Sequence, residues 1–208
     1  MTEFTIPGTA EVAPCRPLTP GSELDEWRNA RAEHPDRWPV VIEVWGELAD
    51  VFDRFEYGEA APAALLEQAK AHQAVWDFTD LEDEGPTGQA DESAIDWFPP
   101  SRPHLVLLPV RHGWEVLAYL HFYEQKTVNA IAILRSWHER FGAELVCHYG
   151  TMLQFVVSRP PTTEAEAWQL AREQGTFAPC TTLLPGLTVG DLAQLLRGRP
   201  TWFIHERP

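Results

Sequence analysis

Residues 126–158 read KTVNAIAILRSWHERFGAELVCHYGTMLQFVVS, and the change of hydrophobic period inside this stretch decides the fold class. Ala130, Ile133, Leu134, Trp137 and Phe141 recur at intervals of three and four, the stripe of a helix that buries one face, and Gly142 supplies its stop. Beyond the glycine, 143–149 and 152–158 are strand-forming runs split by Gly150, which predicts a hairpin.

The same signals extend in both directions. Toward the C-terminus, Pro160 and Pro161 break the sheet edge, Thr162 or Thr163 caps a helix through about residue 173, and Gly175 ends it. Thr188 caps a further helix over 189–196, and TWFIHE at 201–206 reads as a closing strand. Toward the N-terminus, 104–110 and 114–122 predict a second hairpin joined at 111–113, and WPVVIEVW at 38–45 predicts a buried strand. Ser22 before Glu23, Asp25 and Glu26 predicts a helix over 23–33, closed ahead of Pro35. A short helix falls within 47–55, and Pro62 opens one carrying Leu65, Leu66, Ala69 and then Val75 and Trp76. Residues 1–20, rich in Pro, Thr and Gly, read as an extended arm.

Hairpins interleaved with helices give an α+β fold: an antiparallel or mixed sheet of about five to six strands, covered by helices, with an acidic N-terminal extension. Residues 1–100 are expected to pack on the core as an acidic helical and strand region, and 101–208 to form a C-terminal α+β module.

Charge separates the same two parts. The net charge is −15; residues 1–100 carry 22 acids against 6 Lys or Arg, whereas 101–208 carry 9 acids against 10. A field of that sign repels phosphate backbones and anionic lipid and speeds encounter with cationic proteins, so nucleic-acid and membrane-surface binding are disfavoured. Acids also solubilise a surface without any partner. Cys15, Cys147 and Cys180 are odd in number and widely spaced, which argues against a disulfide framework. The opening MTEFTIPGTAEV lacks the basic region and apolar run of a secretory signal, and no apolar run approaches the ~20 residues of a membrane helix, so a cytoplasmic protein is expected.

Three segments, ILRSWHERFGAELV, VSRPPTTEAEAWQLAREQGTFAPC and the tryptophan near the C-terminus, together resemble an uncharacterised bacterial family, domain of unknown function 4253, over roughly the last 110 residues. The resemblance implies a helix bearing Arg135, Trp137 and Arg140, a hairpin, the Pro160 and Pro161 break, a helix reaching Glu173, a segment with Phe177 and Cys180, and a closing strand with Trp202. This chain departs from that pattern at Gln174, where the family has histidine, and at Phe203, Ile204 and His205. The family brings no activity with it.

The strongest candidate surface is the stretch 77–96, with eight acids, no base, and Gly85, Pro86 and Gly88 at its middle. Asp80, Glu82, Asp83, Glu84, Asp91 and Glu92, flanked by Trp76 and Trp97, combine carboxylates that pair with arginine and lysine with aromatic area for an interface. The expected function is therefore a protein-interaction module, of immunity or regulatory type, for a basic partner. A plainer reading makes 77–96 a solvated loop whose aromatics cap the core.

The alternative is a small-ligand binder or enzyme with His138, Arg140, Glu173 and Cys180 around a pocket. Cys147 and His148 are neighbours on one strand and point to opposite faces; alternation groups Cys147 with Leu145 and Tyr149 as a buried, inert thiol. His104, His112, His121 and His148 fall near predicted hairpins, but their spacing demands no metal. With no nucleophile elbow, phosphate loop or zincin motif, the sequence assigns no catalytic residue, metal or cofactor.

Overall fold

A computed structural model describes residues 1–52, 60–79, 81–82, 84–88, 90–123 and 125–206. Its seven strands are β1 (Thr2–Thr5), β2 (Val12–Pro17), β3 (Trp38–Glu43), β4 (Pro103–Leu108), β5 (Ala143–His148), β6 (Met152–Val157) and β7 (Thr201–His205). They form one sheet in the order β1-β2-β4-β3-β5-β6-β7. The β3–β5 pair is parallel and the others antiparallel, so the sheet is mixed and holds seven strands rather than five to six. The helices are α1 (Glu23–Glu33), α2 (Pro62–Ala71), α3 (Thr127–Phe141), α4 (Glu164–Phe177), α5 (Cys180–Leu183) and α6 (Val189–Leu196), with 3-10 turns at Leu48–Phe52, Glu92–Ile95 and Gly113–Ala118.

The additional strands come from the N-terminal residues. Instead of an extended arm, residues 2–17 form a hairpin that turns near Gly8 (φ 71°), and Cys15 of β2 aligns with Val106 of β4. Three prolines and the lack of alternation hid it, because backbone pairing needs neither signal on every residue. More consequential is β3, which lies between β4 and β5 although it precedes both by a long stretch of chain. Its WPVVI is buried throughout, the continuous apolar pattern of a strand covered on both faces.

The expected 104–122 hairpin does not form: β4 pairs with β2 and β3, and 113–118 is a 3-10 turn. Val116, Leu117, Ala118 and Leu120 are all buried rather than alternating, and Glu115 Oε2 accepts from the backbone N–H of Arg111 and of His112, both at 2.9 Å. Gly113 sits so tightly that a Cβ there would lie 2.7 Å from the Trp38 ring and 2.8 Å from the Leu145 nitrogen. Trp38 in turn donates its indole N–H to the Leu145 carbonyl at 2.9 Å, tying β3 to β5 through a side chain.

The β5–β6 hairpin forms as expected, with one correction. A bulge between Leu145 and Cys147 aligns Leu145 with Phe155 and Cys147 with Gln154, so Leu145 and Cys147 face opposite sides. Cys147 is buried, and that burial raises its thiol pKa far above the ordinary value; burial also raises Cys15, to about 11.

Phe155 aligns with Trp202 and Gln154 with Phe203, so the two pairs mark the two faces of the sheet. Trp137 of α3 packs edge-on against Phe155 and Trp202 at 6.1 Å each, and against Phe177 of α4 at 5.4 Å. On the opposite face Phe98 packs on Tyr149 and Phe203. The outer edge of β7 is blunted at His205, whose N–H donates to Thr181 Oγ1 at 3.0 Å.

Candidate functional site

Helix α2 stops at Ala71, so Val75 and Trp76 lie beyond it, on an extended segment whose residues alternate between exposed and half-buried. Two residues of α3 hold this segment in place. Asn129 accepts from the Val75 N–H at 2.9 Å and donates to its carbonyl at 3.1 Å, imitating a strand partner; Arg135 donates to the carbonyls of Ala69 and His72. Trp76 consequently stacks on Trp137 at 6.2 Å and on Phe78 at 6.1 Å, and the Arg172 guanidinium lies 4.3 Å over Phe78.

Farther along, residues 84–88 dock on the start of α6. The Gly190 N–H donates to the Glu84 carbonyl at 2.9 Å, and Thr188 Oγ1 donates to the Gly85 carbonyl at 2.9 Å. Asp191, buried at the third position of α6, accepts from the Thr87 N–H at 2.8 Å and its hydroxyl at 2.9 Å, and closes a capping box with Thr188. Burial alone would raise the Asp191 pKa; the N–H and hydroxyl groups of Thr87 and Thr188 outweigh it and hold the carboxyl below its ordinary value. The fit tolerates no side chain at Gly190, where a Cβ would lie 2.3 Å from the Pro86 nitrogen.

Asp77, Leu81, Glu82 and Glu84 face the α4–α6 segment across a cleft of about 410 Å³. Asp77, Glu82 and Glu84 line it on one side; Thr176, Pro179, Thr182 and Thr188 line it from α4 to α6 on the other. Leu81, Leu187 and Val189 give it apolar lining, and Leu183 leads outward from it, 71% exposed, beside Leu184 at 49%. Gly175 also lines it; α4 runs through this glycine to Phe177 instead of ending there, and a Cβ would come within 3.2 Å of Leu81 Cδ1. Asp77 accepts from the N–H and hydroxyl of Thr79, the hydroxyl first in effect, which holds its carboxyl below the ordinary value and keeps it ionised. Among the described residues no cation pairs with Asp77, Glu82 or Glu84.

The residues singled out from sequence are distributed as follows. Glu82 and Glu84 line the cleft, while Asp80 and Asp83 lie outside the described residues. Trp76 is held in the α3 seam; Trp97 is half-buried against the core; Asp91 caps the 92–95 turn through the Ser93 N–H, and Glu92 is exposed in it. Of the alternative set, Arg140 and Glu173 meet: Arg140 Nη1 donates to both Glu173 oxygens at 2.8 Å. Trp137 Nε1 at 2.9 Å and Gln169 at 3.1 Å complete the shell of this buried carboxylate, so the group ties α3 to α4. His138 and Cys180 belong elsewhere. His138 Nδ1 lies 3.2 Å from the Ala143 carbonyl with its ring 6.1 Å from that of His112, and Cys180 Sγ lies 3.7 Å from the buried Glu206 carboxylate.

Sequence reasoning included Asp77 and Leu81 only as part of the stretch 77–96, and missed Leu183, Leu187 and Asp191. The signals were present: Leu183 and Leu184 are an apolar pair ahead of a Pro-Gly turn, and the Thr188 cap has its reciprocal partner three residues on at Asp191. What could not be read was their convergence with the acidic stretch.

Residues 104–205 match the family model described as Domain of unknown function (DUF4253). The matched segment runs from His104, within β4, to the end of β7 and lacks β3, the strand that stands between β4 and β5 in the sheet. Neither the curated proteins nor the solved structures returned a match.

Proposed function

We propose that this chain, whose residues 104–205 match a domain of unknown function, is a cytoplasmic protein-interaction module of immunity or regulatory type that binds a basic partner through its acid-rich first half. The observation that carries the reading is that Asp77, Glu82 and Glu84, the described acids of the cleft, carry no ion pair among the described residues. Arg16, Arg28 and Lys70 are paired with Glu26, Asp25 and Glu67, yet no described cation is spent on Asp77, Glu82 or Glu84. Carboxylates left facing solvent beside exposed leucines supply both terms of an interface, steering by charge and burial of apolar area. No helix among the described residues is long and apolar enough to cross a membrane, which accords with a partner met in solution.

Isothermal titration of the full chain against a panel of small basic proteins at low and at physiological salt tests the proposal. The Debye length contracts from about 30 Å at 0.01 M to about 8 Å at 0.15 M, so binding steered by these acids weakens about tenfold or more over that range. Binding that is indifferent to salt, or absent with every basic protein, would remove the proposal.

A further inference from the structure

Resting on the interaction reading above, we infer that the cleft between Asp77, Leu81, Glu82 and Glu84 and the α4–α6 segment seats one arginine side chain of the partner, with an adjoining apolar residue resting on Leu183 and Leu184.

Size is the first argument. At about 410 Å³ the cleft is near the lower end of the roughly 300–1,000 Å³ of ligand pockets, suited to a single long side chain and too small for a folded surface. Its chemistry narrows the occupant further. Leu81, Leu187 and Val189 offer an apolar channel that matches an aliphatic stem, and Asp77, Glu82 and Glu84 offer acceptors for a cationic head. Arginine satisfies both better than lysine, because its guanidinium is weakly hydrated, presents several donors in a plane and pairs with carboxylates two bonds at a time.

Gly175 supplies an independent argument. It lies inside α4, without the left-handed backbone that would require glycine, at a site where almost any other residue makes a better helix. Its missing side chain lets Leu81 close onto α4 at the cleft wall, where a Cβ would lie 3.2 Å from Leu81 Cδ1, so the glycine sets the apolar wall along which an aliphatic stem would lie. Leu183 and Leu184 then explain why the neighbour of the arginine is apolar: they are large hydrophobics left exposed at the rim.

The test uses ¹⁵N-labelled full chain and three probes: an acetylated, amidated peptide with one arginine between leucines, the same peptide with citrulline, and nona-arginine. The arginine peptide is expected to shift the amide signals of Thr176, Thr182, Thr188 and Val189, with the citrulline twin binding at least tenfold more weakly. Gly175→Val, which pushes Leu81 off the cleft wall, and the surface pair Glu82→Gln with Glu84→Gln, which leaves packing intact, should each cut arginine-peptide affinity by tenfold or more. Equal binding of the arginine and citrulline peptides overturns the inference. So does salt-sensitive nona-arginine binding that leaves the cleft amides unmoved, although the broader interaction reading then stands. If neither cationic probe binds, both readings fall together.

Discussion

Two groups of carboxylates in this molecule are used in opposite ways. Glu173, in the charge-balanced part of the chain, is buried and fully supplied: an arginine, an indole N–H and an amide all converge on it. Glu82 and Glu84, in the acidic part, are exposed around a cleft and receive no described cation. A carboxylate taken out of water must find its donors within the fold, whereas one at the surface keeps water as its partner and remains available. Arg140 and Glu173, two of the four residues that looked most like an active site from sequence, therefore hold two helices together. Glu82 and Glu84, from the stretch that looked like a solvated loop, line a cleft.

Removing a partner from the buried group should have the largest effect. Arg140→Met leaves the Glu173 charge buried with only neutral donors; breaking such a pair costs about 3–5 kcal/mol, and the solvent-open side of Arg140 places this case near about 3 kcal/mol. Glu173→Gln should cost less, about 1–2 kcal/mol, because the stranded Arg140 can turn to water. Urea midpoints of the two variants give the order. If Glu173→Gln proves the more damaging, the carboxylate is not the group that depends on its partner, and the contrast with the cleft acids loses its basis.

The acidic segment is attached by backbone contacts, and these come next. Gly190→Ala drives a methyl into the Pro86 nitrogen and the Gly85 carbonyl carbon, backbone atoms that cannot yield without lifting residues 84–88 off α6. A loss of about 1–3 kcal/mol is expected, accompanied by faster hydrogen exchange at the Gly190 amide. Unchanged exchange would mean that the segment does not depend on this contact.

Asp191 gives a smaller, pH-dependent effect. Its pKa in the folded chain lies below the ordinary 3.8, so the stability it contributes is fully present above that value and disappears as pH falls through the folded value. Wild type should exceed Asp191→Asn by about 1–2 kcal/mol at neutral pH, and the gap should close on titration below about pH 3.8. A gap independent of pH would assign the effect to shape rather than charge.

Much of this architecture was legible where local chemistry decides it. The helix stripe of 127–141, the left-handed stop at Gly142, the β5–β6 hairpin and the Thr188 cap each depend on neighbours a few residues away. Elements fixed by distant partners were not. The 2–17 hairpin exists because β4 offers it an edge, and 113–118 leaves the strand pattern because Trp38 and Leu145 press on Gly113. The cleft is the extreme case, since Glu84 and Gly190 meet across more than a hundred residues of chain. Sequence identified the acids as a surface for cations and gave no hint that Gly175 lets Leu81 pack against α4 beside them.

The smallest effect on stability is expected where the proposed effect on binding is greatest. Glu82 and Glu84 are exposed and carry no described ion pair, so neutralising both as Gln should leave the urea midpoint where it was. Any shift should be a slight rise and not a fall, because the −15 charge of the chain disfavours compactness and two of its acids are gone. Glu84 fastens the segment through its carbonyl to Gly190, and that bond survives any change of side chain. A clear fall in the midpoint would mean that these carboxylates find cations within the chain itself. Buried and exposed acids would then be doing the same structural task, and the free charge on which partner binding depends would be absent.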